Sequence, residues 1–394
     1  MVFQGVDYYG IDSLLSDEEK MIRSMAREFW EKEISGSEIV EAFHNEKPFD
    51  MEKLAVKMGQ LGMIGPIIPE EYGGNGVNYT SYGIIIQEAE RVDSALGGFI
   101  REETSLITYP IWKFGSDEQK KKWLPLVTSG KKRGCFGLTE PNRGSDVASM
   151  ETKAQKDDNG WVINGTKQWI SEASSADFAI VWAQTDEGMK GFIIERGTEG
   201  FQQIFEGNKG SMRASDVGEL VLTDCRVPFE NVLPEADGLK PPLRCLDEAR
   251  FAIAWGSVGA AMDCYEAALN YAKEREQFDT AIASYQLVQE KLVNMLIEIT
   301  KAQLLAYRLG RLMDEGNATY AQISMAKKNN VLTARMCART ARELMGANGI
   351  SLENSPIRHM ANIESVYTYQ GTDDMHTLII GRDITGISAF RRML

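Results

Sequence analysis

The hydrophobic period changes twice along this chain, and that double switch limits the folds open to it. Up to about residue 130 the apolar residues recur at helical spacing, beginning with Met21, Ile22, Met25, Phe29 and Trp30. Ahead of them, Ser16-Asp17-Glu18-Glu19 has the form of a capping box. There the serine hydroxyl and the glutamate carboxylate each satisfy a backbone N–H that the first helical turn leaves free. Helical patterns continue over 51–63, 80–93 and 97–113, interrupted by the turn-rich GPIIPEEYGGNG. Near residue 134 the texture changes. GWVINGTKQWI alternates about Asn164-Gly165, a pair favoured in two-residue hairpins, and DFAIVWAQT, KGFIIERG and GELVLTDCRVP are short β-rich runs. From about residue 241 the helical period returns, with Tyr285, Val288, Leu292, Met295, Leu296 and Ile299 on one stripe.

Helix, then strand, then helix, with no βα alternation, makes this an α+β chain and excludes a doubly wound nucleotide-binding sheet. We expect an N-terminal α-helical domain over 1–133, a middle β-barrel domain over 134–240 and a C-terminal four-helix-bundle domain over 241–394. At 394 residues and 43% apolar, the chain has enough material for cores of that size.

Charge and cysteine usage narrow the partners. A formal charge of −14 argues against nucleic acid. The five cysteines have no C-x-x-C spacing and the three histidines no metal-ligand spacing. A reduced, cytoplasmic location without a metal site is therefore expected. No apolar run reaches about 18 residues, so no membrane span is expected. The opening MVFQGVDYYGIDSLL lacks the basic and apolar blocks of a signal peptide.

Six motifs, in order along nearly the whole chain, carry a resemblance: GCFGLTEPNRGSD (134–146), NGTKQWIS (164–171), REQF (275–278), ARELMGANGI (341–350), YQGTDDMH (369–376) and GRDITGISAF (381–390). Alone, each has an ordinary structural reading; a lone tryptophan is more often core, and a G-x-x-G more often packing. Together, the chain resembles the acyl-CoA dehydrogenase family, and within it the glutaryl-CoA dehydrogenases. The resemblance implies FAD, the family's fold, a homotetramer and electron-transfer flavoprotein as acceptor.

It also implies site residues. Leu138 and Thr139 would meet the pyrimidine edge of the flavin, Trp169 would cover one ring face and Ser171 would lie near N5. Arg275, Gln277 and Phe278 would reach the pyrophosphate and adenine half across a subunit contact. An arginine fork suits a diphosphate because it binds two oxygens at once. Gly346 and Gly349 would let backbone approach the cofactor, and Thr372 and Asp374 would hold its adenosine side. Ser145 would lie beside the CoA chain. Asp247 and Arg250 would pass the thioester, next to Tyr369 and Gly371.

The chain departs from the family pattern at three places. Gln370 stands where the family carries the glutamate that removes the substrate's α-proton, and an amide has no usable basicity. The family's other site for this carboxylate, just before Arg250, holds Ala249, with Glu248 a helical step away. The arginine that grips the far carboxylate of glutaryl-CoA falls on Gly97, and its neighbouring serine on Gly98. Both glycines are expected to open space at the deep end of the acyl pocket. Arg101 and Glu102 lie one helical turn on.

The reading is a dehydrogenase of a CoA thioester other than glutaryl-CoA, cyclic or otherwise unusual, with Glu102 as the relocated base and Glu103 as its neighbour in reserve. Arg101 offers a hold on an acidic substrate. Other readings remain: a non-oxidative flavoprotein such as a desulfinase or isomerase, an acyl-CoA-binding protein without activity, or a glutaryl-CoA dehydrogenase deliberately altered at 370.

Overall fold

The structure, a computed structural model, describes residues 5–389; the first four residues of the N-terminal stretch and Phe390 of the tail motif lie outside it. Seven α-helices open the chain: α1 (Asp17–Glu33), α2 (Gly36–His44), α3 (Met51–Gln60), α4 (Tyr79–Val92), α5 (Ser94–Arg101), α6 (Tyr109–Phe114) and α7 (Asp117–Thr128). The capping box at α1 forms as expected: Glu19 N–H donates to Ser16 Oγ at 3.2 Å, and Ser16 N–H to Glu19 Oε2 at 2.8 Å. The same Glu19 carboxylate accepts from Arg311 at 2.6 and 2.7 Å, which ties the first helix to the C-terminal region.

Two features of this region position the site. Helix α4 is buried on every side from Thr80 to Glu90, so its polar residues Glu88 and Glu90 must find partners inside. Between α5 and α6 the chain does not stay α-helical; Glu102–Thr108 winds as a π-helix, entirely buried. A π turn takes in an extra residue and rotates the side chains beyond it, and such turns cluster at functional sites.

Strands β1 (Gly134–Gly137), β2 (Lys153–Asp157), β3 (Gly160–Ser171), β4 (Phe178–Thr185), β5 (Gly188–Glu195), β6 (Phe201–Phe205) and β7 (Val217–Val227) form one sheet, ordered β1-β4-β2-β3-β7-β6 with β5 also on β4. Among the described residues the sheet is not hydrogen-bonded into a closed ring: β1 pairs only with β4, and β6 only with β7. Its inner face packs Ile163, Val181, Phe192, Leu220 and Cys225 into a core of its own.

The expected hairpin at Asn164-Gly165 is corrected. β3 runs straight through, and the register slips between Ile163 and Gly165. Asn164 exchanges bonds with Asp224 (2.8 and 3.1 Å), and a Cβ on Gly165 would lie 2.4 Å from Thr152 Oγ1. The Asn-Gly pair makes a bulge where another segment crosses closely.

Three long helices come next: α8 (Lys240–Glu274), α9 (Gln286–Asp314) and α10 (Tyr320–Leu344). Strands β8 (Glu276–Gln277) and β9 (Thr280–Ala281) join α8 to α9, and α11 (Ser355–Thr368) and α12 (Asp373–Thr385) complete the region. Among the described residues this region has five α-helices. Buried residues of α4 and α8 share one core with those of α10.

Candidate active site

The loop Tyr369-Gln370-Gly371 joins α11 to α12, and buried cations hold it. Gln370 has a left-handed backbone (φ 56°), a conformation a side-chain-bearing residue keeps only when its surroundings impose it. Arg250 Nε, on α8, donates to Gln370 O at 2.8 Å, while its Nη1 donates to Asp247 at 2.8 Å. Lys327 Nζ, on α10, donates to Tyr369 O at 3.2 Å and to Gly371 O at 2.9 Å. Burial, then Arg250, pulls the Lys327 ammonium down to about 7. Gln370 Oε1 is buried without a hydrogen-bond partner.

A second buried group is acidic. Glu103, on the π-helix, accepts the Gly134 N–H at 3.0 and 3.2 Å, and the Phe136 backbone acts to lower Glu102. Burial pushes Glu102 up to about 8 against the pull of Arg101, and pushes Glu103 well above the carboxylate range. Glu172 is raised to about 7 by burial and by Asp216.

Arg101, next to Glu102 in the chain, is 3% exposed. Its Nη1 donates to Tyr369 Oη at 3.3 Å and sits 3.8 Å from Glu90 Oε1, and its guanidinium lies 4.8 Å from the Tyr369 ring centre. Burial works against this charge, but Tyr369, Glu90 and Glu102 keep its pKa raised. Glu90 is itself lifted to about 7 by burial. Arg101 Nε has no partner.

The expectation that Gly97 opens space fails: a Cβ there would come 2.3 Å from Glu90 Cγ. The glycine exists to admit a side chain from α4. At Gly98 a Cβ would meet only Arg101 Nη2 at 3.5 Å and Met212 Cε at 3.6 Å, ordinary contacts. Among the sequence candidates, Arg101 touches Gly98 and Tyr369, Arg250 touches Asp247, Gln370 and Gly371, and Gly97 joins Arg101 through Glu90; Glu102 follows Arg101 on the π-helix. Ser145 lies apart on an exposed loop. Ala249 is buried on α8, and Glu248 accepts from Tyr79, with burial lifting it to about 7.

The cofactor candidates fit a planar ring. Trp169 stands 58% exposed with a left-handed backbone (φ 61°), in the second slip of β3 between Lys167 and Ile170. An indole pushed out of a strand ladder offers its face for stacking. Leu138 and Thr139 come directly after β1; their carbonyls are already bonded, to Lys167 Nζ at 3.2 Å and Gln168 N at 2.9 Å. Donor chemistry toward a ring is left to their N–H and hydroxyl groups. Ser171 closes β3 half-buried, and Thr372 N-caps α12, accepting Met375 N–H at 3.2 Å.

Arg275, Gln277, Gly346 and Asp374 are exposed, and Phe278 is 91% exposed at the tip of the β8–β9 hairpin. Residues that complete a site across a subunit contact would lie so. Gly349 is buried, and a Cβ there would come 2.1 Å from the Arg342 carbonyl, so the glycine admits the end of α10 closely. Sequence reasoning does not find Glu90, Glu172 or Lys327. Lys327 has a signal, since it falls on the buried stripe of α10 with Ile323, Asn330 and Val331.

The chain matches three families in succession: the acyl-CoA dehydrogenase N-terminal domain over 16–131, the middle domain over 135–225 and the C-terminal domain over 236–385. A glutaryl-CoA dehydrogenase of Desulfococcus multivorans is 35% identical, over 97% of this chain and 100% of the relative. The mitochondrial short-chain specific acyl-CoA dehydrogenase of Homo sapiens is 33% identical, over 93% and 90%. A Mycobacterium smegmatis glutaryl-CoA dehydrogenase solved with FADH2 superposes with a TM-score of 0.95 at 44% identity, over 98% and 99% of the two chains.

Proposed function

The chain belongs to the acyl-CoA dehydrogenase family of FAD-dependent oxidoreductases, and we propose that it oxidises a CoA thioester other than glutaryl-CoA, with the proton-abstracting carboxylate moved from position 370 to Glu102. One contrast carries the reading. Position 370 holds an amide, while across the Arg101–Tyr369 contact a buried carboxyl has its pKa lifted to about 8.

A base tuned near the working pH is the useful kind. The neutral conjugate acid of Glu102 suits a buried site. Arg101 lowers the cost of the anion, and Arg250 and Lys327 fix the loop opposite. Bound FAD supplies the hydride acceptor. A proton taken at Glu102 belongs to a carbon remote from the thioester, in a ring or an already unsaturated acyl group, where 1,4-elimination is chemically sensible.

Glutaryl-CoA suits this pocket poorly. Where its far carboxylate would need a cation, the space over Gly97 is filled by Glu90. One observation favours a second reading: Arg101 Nε is buried without a partner, the state of a guanidinium awaiting an anion. The acyl group would then end in an acid of another length or type, and non-oxidative chemistry such as desulfination would need no α-proton base.

We assign electron-transfer flavoprotein as acceptor and a homotetramer as assembly. Exposed apolar residues on α9 and α10 (Leu287, Val293, Ile297, Met325, Leu332) and the exposed cofactor residues of the β8–β9 hairpin support the assembly. Five free, buried cysteines support a cytoplasmic location.

The deciding experiment is an anaerobic titration with glutaryl, straight-chain, branched, and saturated and mono-unsaturated cyclic thioesters, monitored at the flavin's visible band. Bleaching by one class while glutaryl-CoA stays inert is the expected result. A spectrum that thioesters perturb but never bleach would replace oxidation with binding or non-oxidative chemistry.

A further inference from the structure

We propose that Lys327 is the positioning residue for site 370, holding the loop so that the Gln370 side chain is aimed into the acyl pocket; this rests on the reading that residue 370 faces the thioester. Lys327 is 1% exposed and reaches the loop from α10. Its ammonium grips the carbonyls on both sides of Gln370, at 3.2 Å to Tyr369 and 2.9 Å to Gly371. Arg250 takes the carbonyl between them at 2.8 Å. Three successive carbonyls are thus pinned from two different helices.

The rest of the chain makes Lys327 unusual. The other fully buried lysine, Lys167, has a counter-ion, with Nζ 2.8 Å from Glu140. Among the described residues Lys327 has no carboxylate within ion-pair distance; the nearby Asp373 pairs with Lys328. A buried ammonium without a counter-ion is costly, so its bonds to the loop are what it is there to make. The conformation it fixes is one that residue 370 would not choose alone, with φ at 56° and the next residue, Gly371, at 98°. The aimed group, Gln370 Oε1, remains without a partner, as an acceptor kept for a ligand does.

The test uses the full-length, FAD-loaded protein. Lys327→Met keeps the stem and removes the donors, so the core stays filled. Hydrogen exchange in the segment 366–376 is expected to quicken about tenfold in this variant, with other core segments within about twofold. The affinity of butyryl-CoA and of a cyclohexanecarboxyl thioester, read from perturbation of the flavin band, is then measured in Lys327→Met, Gln370→Ala and the double variant. Each single change is expected to weaken binding about five- to tenfold, and the double to bind no worse than Gln370→Ala. With the side chain gone, nothing is left to aim. A purely structural lysine would instead give effects that multiply, and that outcome overturns the proposal. If no thioester perturbs the wild-type flavin, the functional reading fails on that result alone. Unchanged exchange over 366–376 would by itself overturn the role of Lys327.

Discussion

The loop 369–371 and the edge of β1 are held by opposite charges. The loop offers carbonyls, and two cations from α8 and α10 bind them. The strand edge offers the Gly134 N–H, and the Glu103 carboxyl on the π-helix accepts it. In each case backbone that belongs to no helix or completed sheet is satisfied by a buried ionisable side chain. The consequences differ. On the cationic side the side chain that faces inward is an amide that cannot take a proton. On the acidic side it is a carboxyl kept near neutrality. Position 370 carries no carboxylate, and the buried carboxyls lie on the π-helix beside β1 instead.

Glu102→Gln is the sharpest way to break this contrast. It keeps the shape and most of the contact to β1, and should slow flavin reduction by the true substrate by about 10²–10⁴-fold, with affinity kept. Rapid-mixing bleaching measures it; a rate within about threefold of wild type would return the chemistry to another group.

Restoring the family's arginine at Gly97 is the next test. Gly97→Arg must displace Glu90 and should cost about 1–3 kcal/mol in urea unfolding, without conferring activity on glutaryl-CoA. An undisturbed midpoint together with new glutaryl oxidation would mean that Glu90 moves aside freely.

The pH dependence of stability should carry the two signs separately. Glu102 is raised from the ordinary range to about 8, so the fold holds more protons than the unfolded chain in that window. Its contribution is complete in acid and is lost as pH climbs toward about 8; Glu103 acts in the same sense. Lys327 is lowered to about 7, so its contribution is complete only above the ordinary lysine range and is lost as pH falls toward about 7. Thermal midpoints across about pH 5–10 should therefore fall less steeply in Glu103→Gln, and rise less at the alkaline end in Lys327→Met. Parallel curves for both variants and the wild type would remove the contrast.

The smallest effect is expected at Gly98, where an added methyl meets only ordinary contacts. Gly98→Ala should stay within about 0.5 kcal/mol of wild type in stability. Its readout is selectivity, as a loss of the bulkiest thioesters from the bleaching panel.

Legibility tracks the range of the interaction. The capping box at Ser16 and Glu19 needs only residues three apart, and it forms as expected. Asn164-Gly165 misleads because the same local chemistry serves a turn or a bulge, and Asp224 and Thr152 make the choice. The order of motifs places the chain in its family, since each motif is a short run whose spacing the fold preserves. Gly97 looks like room because sequence shows a missing side chain but never what fills its place. The π-helix leaves no signal that a periodicity count would register.

By itself the sequence determined the helix–strand–helix order, the family and the absence of a carboxylate at 370 and 249, because these are properties of residue identity and near-neighbour spacing. Only the tertiary structure decided that Glu90 fills Gly97, that Glu102 and Glu103 turn to β1, and that Lys327 commits its charge to one loop. Burial sets the ionisation of each of these groups, and burial depends on what packs against a residue from helices tens or hundreds of positions away.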